Sequence, residues 1–268
     1  MLLAIDVGNT NIVMGVHNGE KYTNVWRLTT NKERTPEEFG VFYINMFNAA
    51  GLKLSDVDAI ILSSVVPGIM YTLTNSLEKY FNRTPLLVEQ GIKTGLNIKI
   101  DNPRELGADI IVNLVSAYET YKGPAIVIDF GTATTFSCVT DNFECPGVVI
   151  CSGVSLTAEA LYKRAAKLPN VDIIKPAKVI GKNTITSMQS GIVNGYLGLI
   201  AGIVKDMKKE LAEDYNQNYE DIKVIATGGL LSIIAKNSDQ IDYIDSMLTL
   251  NGLKLVYDKN KSKTEGKA

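Results

Sequence analysis

Short apolar runs alternate along this chain with longer stretches whose apolar positions recur every three to four residues. The runs LLAID, IVMGV, VWRLTT, AIILSSV, PLLVEQ, AIVIDF and VIATGG predict strands. Helical spacing is clear in TPEEFGVFYINMFNAAG. There Thr35 is a capping residue, Pro36 suits the first turn, Glu37 and Glu38 follow, and Gly51 closes the run. The longest helical stretch is SMQSGIVNGYLGLIAGIVKDMKKELAED, which turns charged only towards its end. Strands lead each half of the chain and helices follow, which predicts an α/β fold with a mixed sheet.

One local pattern occurs twice. Asp6-x-Gly8-x-Thr10 and Asp129-x-Gly131-x-Ala133 lie 123 residues apart, each after an apolar strand and before another. Between the copies, YETYKGP supplies polar residues, a glycine and a proline, and predicts a division at that point. The expected organisation is an N-terminal lobe over 1–121 and a related C-terminal lobe over 122–258, facing one another. The polar, lysine-rich residues 259–268 are expected to form a disordered tail.

Composition narrows the chemistry. With 268 residues, 46% apolar and 21% charged, the chain has ordinary globular proportions, and a net charge of −2 favours neither nucleic acid nor an anionic membrane as a partner. No run is expected to reach the ~20 apolar residues that cross a bilayer. The start, MLLAID, lacks the basic region of a signal peptide, so a cytoplasmic protein is expected. Cys138, Cys145 and Cys151 have no C-x-x-C spacing, and His17 is the only histidine. Zinc knuckles and histidine-based triads are thereby disfavoured. Carboxylates, hydroxyls, backbone amides and bound ions are left to do the chemistry.

The repeated turns suit phosphate. A glycine in a tight strand-to-strand turn lets backbone approach a ligand, and successive turn amides form an anion-binding concavity. A carboxylate just before it can hold a hydrated Mg²⁺, which takes one or two carboxylates plus phosphate oxygens. Thr10, Thr132, Thr134 and Thr135 add hydroxyl donors. A third element, VIATGGLLSII (224–234), delivers Thr227, Gly228 and Gly229 from a strand towards a predicted helix, where paired glycines suit a nucleotide. A single D-x-G is most simply a hairpin turn. Two copies at matched positions, each carrying the carboxylate, favour ligand binding.

These three elements resemble the phosphate-1, phosphate-2 and adenosine segments of the actin, heat-shock chaperone and sugar-kinase ATPases. In the order DVGNTN, NPRELGAD, VIDFGTATTF, KVIGKNTITSMQSGIVNGY and LTLNGLKLVYDKN, the chain resembles type III pantothenate kinases up to about Asn260. The resemblance implies two lobes with ribonuclease-H-like mixed sheets, in the actin-like ATPase fold, around a nucleotide cleft. It implies ATP-dependent phosphorylation of pantothenate in a homodimer, with Mg²⁺ and a monovalent cation, K⁺ or NH₄⁺. Carried over residue by residue, it makes Asp6, Val7, Gly8, Asn9, Thr10, Asn11, Ile12 and Val13 the first phosphate loop, with Asp6 near Mg²⁺. Asp129 would ligate the monovalent cation and Thr132 would contact ATP. Gly107, Ala108, Asp109 and Ile110 would border the pantothenate pocket, with Asp109 as proton acceptor, and Thr184 would contact pantothenate near the dimer interface.

The acceptor side departs from that family's pattern. An arginine usually follows the aspartate, where this chain has Ile110, and Ile98 or Ile100 stands where a tyrosine is usual. The segment GGxIxPG becomes GVVICSG, with Val148 and Ser152 in place of a glycine and a proline. Pantothenate held by other contacts, a less anionic alcohol, and a nucleotide-binding regulatory protein are the readings left open. At helical spacing Asp109, Asn113, Ser116 and Thr120 form a polar stripe, which is either catalytic at its start or a solvated face throughout. Trp26 and the cysteines read as core or interface, KDMKKELAED as a solvated face with i,i+4 ion pairs, and the glycine-spaced stretch GIVNGYLGLIAGIV as a seam between helices, most economically the dimer's.

Overall fold

Two antiparallel strand pairs form where the D-x-G turns predict them, and each seeds a five-stranded sheet. The computed structural model describes residues 1–229 and 234–264, the last three as backbone. In chain order the first elements are β1 (Leu2–Val7), β2 (Asn11–His17), β3 (Tyr22–Thr29), α1 (Pro36–Ala49), β4 (Ala59–Ser64), α2 (Pro67–Phe81), β5 (Leu86–Leu87) and β6 (Asn97–Ile98). They are followed by α3 (Ala108–Tyr121), β7 (Ala125–Phe130), β8 (Ala133–Val139), β9 (Glu144–Cys145), β10 (Val148–Ser152) and α4 (Val154–Arg164). The last are α5 (Thr184–Tyr215), β11 (Lys223–Gly228), β12 (Tyr243–Ile244) and α6 (Leu248–Thr264).

The chain divides into two units: Met1–Gly95 with Asn102–Ser116 and Thr249–Ala268, and Leu96–Asp101 with Ala117–Leu248. The expected division at 121/122 is corrected on two counts. It falls inside α3, after Ser116, and the last helix belongs with the N-terminal unit. The expected tail is corrected too, because α6 continues through residue 264; residues 265–268 lie outside the described residues.

In the first unit the sheet order is β3-β2-β1-β4-β5, and in the second it is β10-β8-β7-β11-β12. β1 pairs antiparallel with β2 and parallel with β4; β7 pairs antiparallel with β8 and parallel with β11. The duplication therefore extends from the turns to the whole mixed sheet. PLLVEQ contributes only Leu86 and Leu87 to pairing.

Local sequence explains the helices that flank the sheets. On α1 the Thr35 and Glu38 side chains close a capping box, and Phe39, Tyr43 and Phe47 recur on one face, all buried. Each such aromatic contributes about 1.5–3 kcal/mol on burial, and together they pack beneath Ile5, Ile12 and Leu62 of the first core. Trp26 is partly buried against that core, 5.3 Å from the Phe47 ring. On α5, Asn183 caps the start and Asn216, in the left-handed region, ends the helix. Its buried face, which includes Ile192, Tyr196, Ile200 and Val204, belongs to the second core.

By length and composition alone α5 is long and apolar enough to cross a membrane, with an 18-residue mean hydropathy of 1.2. The expectation that no run reaches that level does not hold for α5, because isoleucine, valine and leucine raise its average although polar residues and glycines interrupt the run. Here 39% of that window is buried within the protein. Its charged end is solvated as expected, with Lys209 and Glu213 3.8 Å apart.

Candidate functional site

The first turn hangs between β1 and β2. The Gly8 amide donates to the Asn11 carbonyl (2.9 Å) and closes it, while Thr30 braces it from the end of β3. Thr30 donates its amide to the Thr10 carbonyl (2.9 Å) and its hydroxyl to the Gly8 carbonyl (2.7 Å). Asn9 and Thr10 are exposed, and Asp6, Gly8, Asn11 and Val13 are half-buried. Val7 and Ile12 are fully buried in the first core, so they offer a ligand backbone only. Asp6 Oδ1 accepts a hydrogen bond from Ser63 Oγ (2.7 Å), a partner that sequence reading missed.

Asp109 belongs to the same unit and sits in the first turn of α3. Its Oδ1 accepts the amide of Ile110 (2.8 Å). A Cβ at Gly107 would lie 2.4 Å from that oxygen, so a side chain there would turn the carboxylate away from its present orientation. Burial pushes the Asp109 carboxyl above the usual carboxylate range, against the opposing pull of the Ile110 amide. The polar stripe of α3 is not a solvated face: Asn113 is 2% exposed and accepts from Thr249 Oγ1 (2.8 Å), and Ser116 is fully buried. Only Thr120 at its end is exposed. Ile110 is 7% exposed and presents little side chain to any ligand.

The second turn repeats the first with different supports. Asp129 is the penultimate residue of β7, opposite Thr135 on β8, and the Gly131 amide donates to the Ala133 carbonyl (3.1 Å). Gly153, the residue before α4, donates its amide to the Thr132 carbonyl (3.0 Å). A Cβ at Gly153 would lie 2.3 Å from that carbonyl oxygen and 2.5 Å from the oxygen of Gly131. Gly228, at φ 106°, comes so close that a Cβ would meet Asp129 Oδ1 at 2.6 Å, a position only glycine fills. The chain beyond it, residues 230–233 of the predicted third element, lies outside the described residues.

Thr132 is exposed, as a ligand contact requires. Thr134 is not available to a ligand: it is 1% exposed, and its Oγ1 accepts from Tyr196 Oη (2.5 Å), which also donates to the Ser152 carbonyl (2.8 Å). Thr184 is the exposed first residue of α5. Ile98 and Ile100 are half-buried. Cys138 and Cys145 are buried, with their thiols pushed up to about 12 and about 11 by burial, which makes them poor nucleophiles. Ser63 carried no local signal, since it reaches the first turn only through the parallel pairing of β4 with β1.

Among the described residues no group of three or more His, Cys, Asp and Glu could hold a metal ion. A caged metal does not fit. The donor set of single carboxylates, turn amides and hydroxyls does fit an ion that keeps its waters and borrows phosphate oxygens, as Mg²⁺ does.

Duplicated mixed sheets of one strand order, each with a carboxylate-bearing turn at its centre, define the class of actin-like ATPases and sugar kinases. Solved structures agree. A Campylobacter jejuni protein of the Baf transcriptional-activator family is similar with TM-score 0.60 at 21% identity, covering 97% of this chain and 99% of that one. A Sinorhizobium meliloti protein described as a 2-dehydro-3-deoxygalactonokinase gives 0.59 at 12% identity, covering 96% and 95%. MreB 5 of Spiroplasma citri bound to AMPPNP gives 0.55 at 13% identity, covering 100% and 98%. A family model for type III pantothenate kinase matches residues 2–206, and the chain belongs to that family. It is a kinase of the actin-like ATPase fold, a class that works on ATP.

Proposed function

We propose that the protein transfers the γ-phosphoryl group of ATP to the primary alcohol of pantothenate, giving 4'-phosphopantothenate at the first step of coenzyme A biosynthesis in the cytoplasm. The observation that carries this reading is Asp109: a half-buried carboxylate with a raised pKa, at the residue the family resemblance makes the proton acceptor, inside the matched region. A carboxylate whose pKa is raised by burial is a stronger base towards the alcohol's proton than a solvated aspartate.

The first turn, 6–13, cradles phosphate oxygens with backbone amides, and Asp6 orients the waters of Mg²⁺. When bound, the magnesium neutralises phosphate charge, the main requirement of phosphoryl transfer. Asp129 ligates K⁺ or NH₄⁺, and Thr132 contacts the nucleotide. Gly107 and Ala108 border the acceptor beside Asp109. Ile110, being buried, lines that border through its backbone. Thr184 reaches pantothenate in a homodimer. In support of a dimer, Val179, Ile180 and Ile185 are 71%, 84% and 51% exposed around Thr184. Gly191, Gly195, Gly198 and Gly202 form an exposed strip of α5 on which an added Cβ would meet nothing within 4 Å.

The test incubates purified protein with ATP, Mg²⁺, K⁺ and pantothenate and follows phosphopantothenate by mass spectrometry. Product above the no-enzyme control is expected. Intact Mg·ATP binding with no product would replace this reading by a nucleotide-binding regulatory protein. ATP consumption stimulated only by another alcohol would change the substrate.

A further inference from the structure

We infer that Ser63 is a positioning residue for the first turn: its hydroxyl fixes the carboxylate of Asp6 in the orientation that receives the magnesium waters. The inference rests on the kinase reading above. β4 reads AIILSS, and residues 60–62 are buried aliphatics, so the strand's own pattern calls for another branched apolar residue at 63. Instead a serine sits there with no exposed surface. A buried hydroxyl is costly unless it is bonded, and this one spends its proton on Asp6 Oδ1 at 2.7 Å.

Ser63 cannot itself meet a ligand, so its effect must pass through the aspartate. Parallel pairing of β1 with β4 puts the two residues in register. A donor on one carboxylate oxygen restricts rotation of the group, as the outer partners of metal-binding side chains do. The adjacent Ser64 has a different task, accepting the Val66 amide (3.0 Å) just before α2, so the two hydroxyls are not interchangeable.

The second unit repeats the arrangement. There Asp129 is in register with Thr227 on β11, again a hydroxyl residue at a buried position (2% exposed) at the end of an apolar strand. Duplication has thus preserved a hydroxyl beside each turn aspartate as well as the aspartates themselves.

A merely structural serine would alter melting and leave metal dependence alone. Titrate Mg²⁺ calorimetrically into wild type and Ser63→Ala in the presence of a non-hydrolysable ATP analogue, and measure the Mg²⁺ dependence of turnover alongside. Ser63→Ala should raise the half-saturating Mg²⁺ about tenfold in both readouts. Ser63→Thr should restore it to within about twofold, and Ser63→Cys, of similar volume but a weaker donor, should fall between. Ser63→Cys carries the test if the alanine variant does not fold. Unchanged Mg²⁺ dependence in the folded alanine or cysteine variant overturns the assignment and leaves the kinase reading standing. Threonine as impaired as alanine overturns it as well. A wild type that takes up no magnesium nucleotide refutes the kinase reading and this one with it.

Discussion

Replacing Gly153 by alanine adds one carbon where the second turn has no room for it. The new Cβ would stand 2.3 Å from the Thr132 carbonyl oxygen and 2.5 Å from that of Gly131, about 1 Å short of ordinary contact. Both obstacles are backbone, so no side chain can rotate away. The backbone at Gly153, φ −64° and ψ 156°, suits alanine, which leaves the clash as the only objection. Relief requires the turn to move by about 1 Å and to give up the 3.0 Å bond from the Gly153 amide. Overpacking of this kind costs about 1–3 kcal/mol and the lost bond about 1, against a gain of about 0.4–1 from stiffening the unfolded chain. The net expectation is a loss of about 1.5–3 kcal/mol. Under the proposed function, in which this turn contacts the nucleotide, a shift of that size also costs about a hundredfold in rate. Gly147, at the other end of the same segment, is the internal control, because a Cβ there meets nothing within 4 Å. Urea unfolding and calorimetric ATP-analogue binding of Gly153→Ala and Gly147→Ala separate the two positions. If both variants match wild type in midpoint and affinity, the turn does not depend on Gly153 and the packing argument is wrong.

Asp109→Asn should lower turnover by about 10²–10⁴ while Mg·ATP binding persists. It should also stabilise the protein above the ordinary carboxylate pKa. A raised folded value means that the native state pays for ionising Asp109 as pH rises through that window, so the gain disappears in acid. Equal stability of the two proteins at pH 4 and 7.5 would argue against the burial of this charge. His17 works in the opposite sense: burial, then Lys254, hold its pKa below 6.5, with Asp258 opposing, so neutral imidazole stabilises the fold above that pH and the contribution is lost as pH falls through the folded value. His17→Asn, which keeps an acceptor for the Gly19 amide (3.0 Å in wild type), should flatten the decline in urea midpoint between pH 7 and 5, and an unchanged slope would exclude the histidine as its source. Tyr196→Phe removes the donor to both Thr134 and Ser152 and should cost about 1–2 kcal/mol in urea unfolding, with a change below about 0.3 showing those bonds to be dispensable.

What the sequence disclosed was local chemistry. The Thr35 box, the Asp6 and Asp129 turns and the strand runs around them are written in consecutive residues, and they form as the pattern predicts. What it hid was pairing. Ser63 meets Asp6 only because β4 lies parallel to β1, and Gly228 closes on Asp129 only because β11 lies parallel to β7. The stripe on α3 could not be resolved by periodicity, since a helix that carries Asn113 and Ser116 into a core spaces them as a solvated one does. Ile110 is placed at the acceptor border by the family resemblance alone, and the sequence gives no sign that its side chain is buried, at 7% exposed.

α6 carries a consequence for how the molecule is made. The first unit packs Gly252 of this helix against the Val112 carbonyl so closely that an added Cβ would sit 2.0 Å from that oxygen. It also uses the Leu250 carbonyl to receive the Tyr22 hydroxyl and Asn260 to bind the backbone of Lys93. A nascent chain emerging from the ribosome therefore has its whole second unit in hand before the first can lock. Newborn copies should pass through a stage in which the N-terminal sheet is still open to proteases and chaperones, and a stop codon that removes α6 should harm the end of the molecule that was translated first.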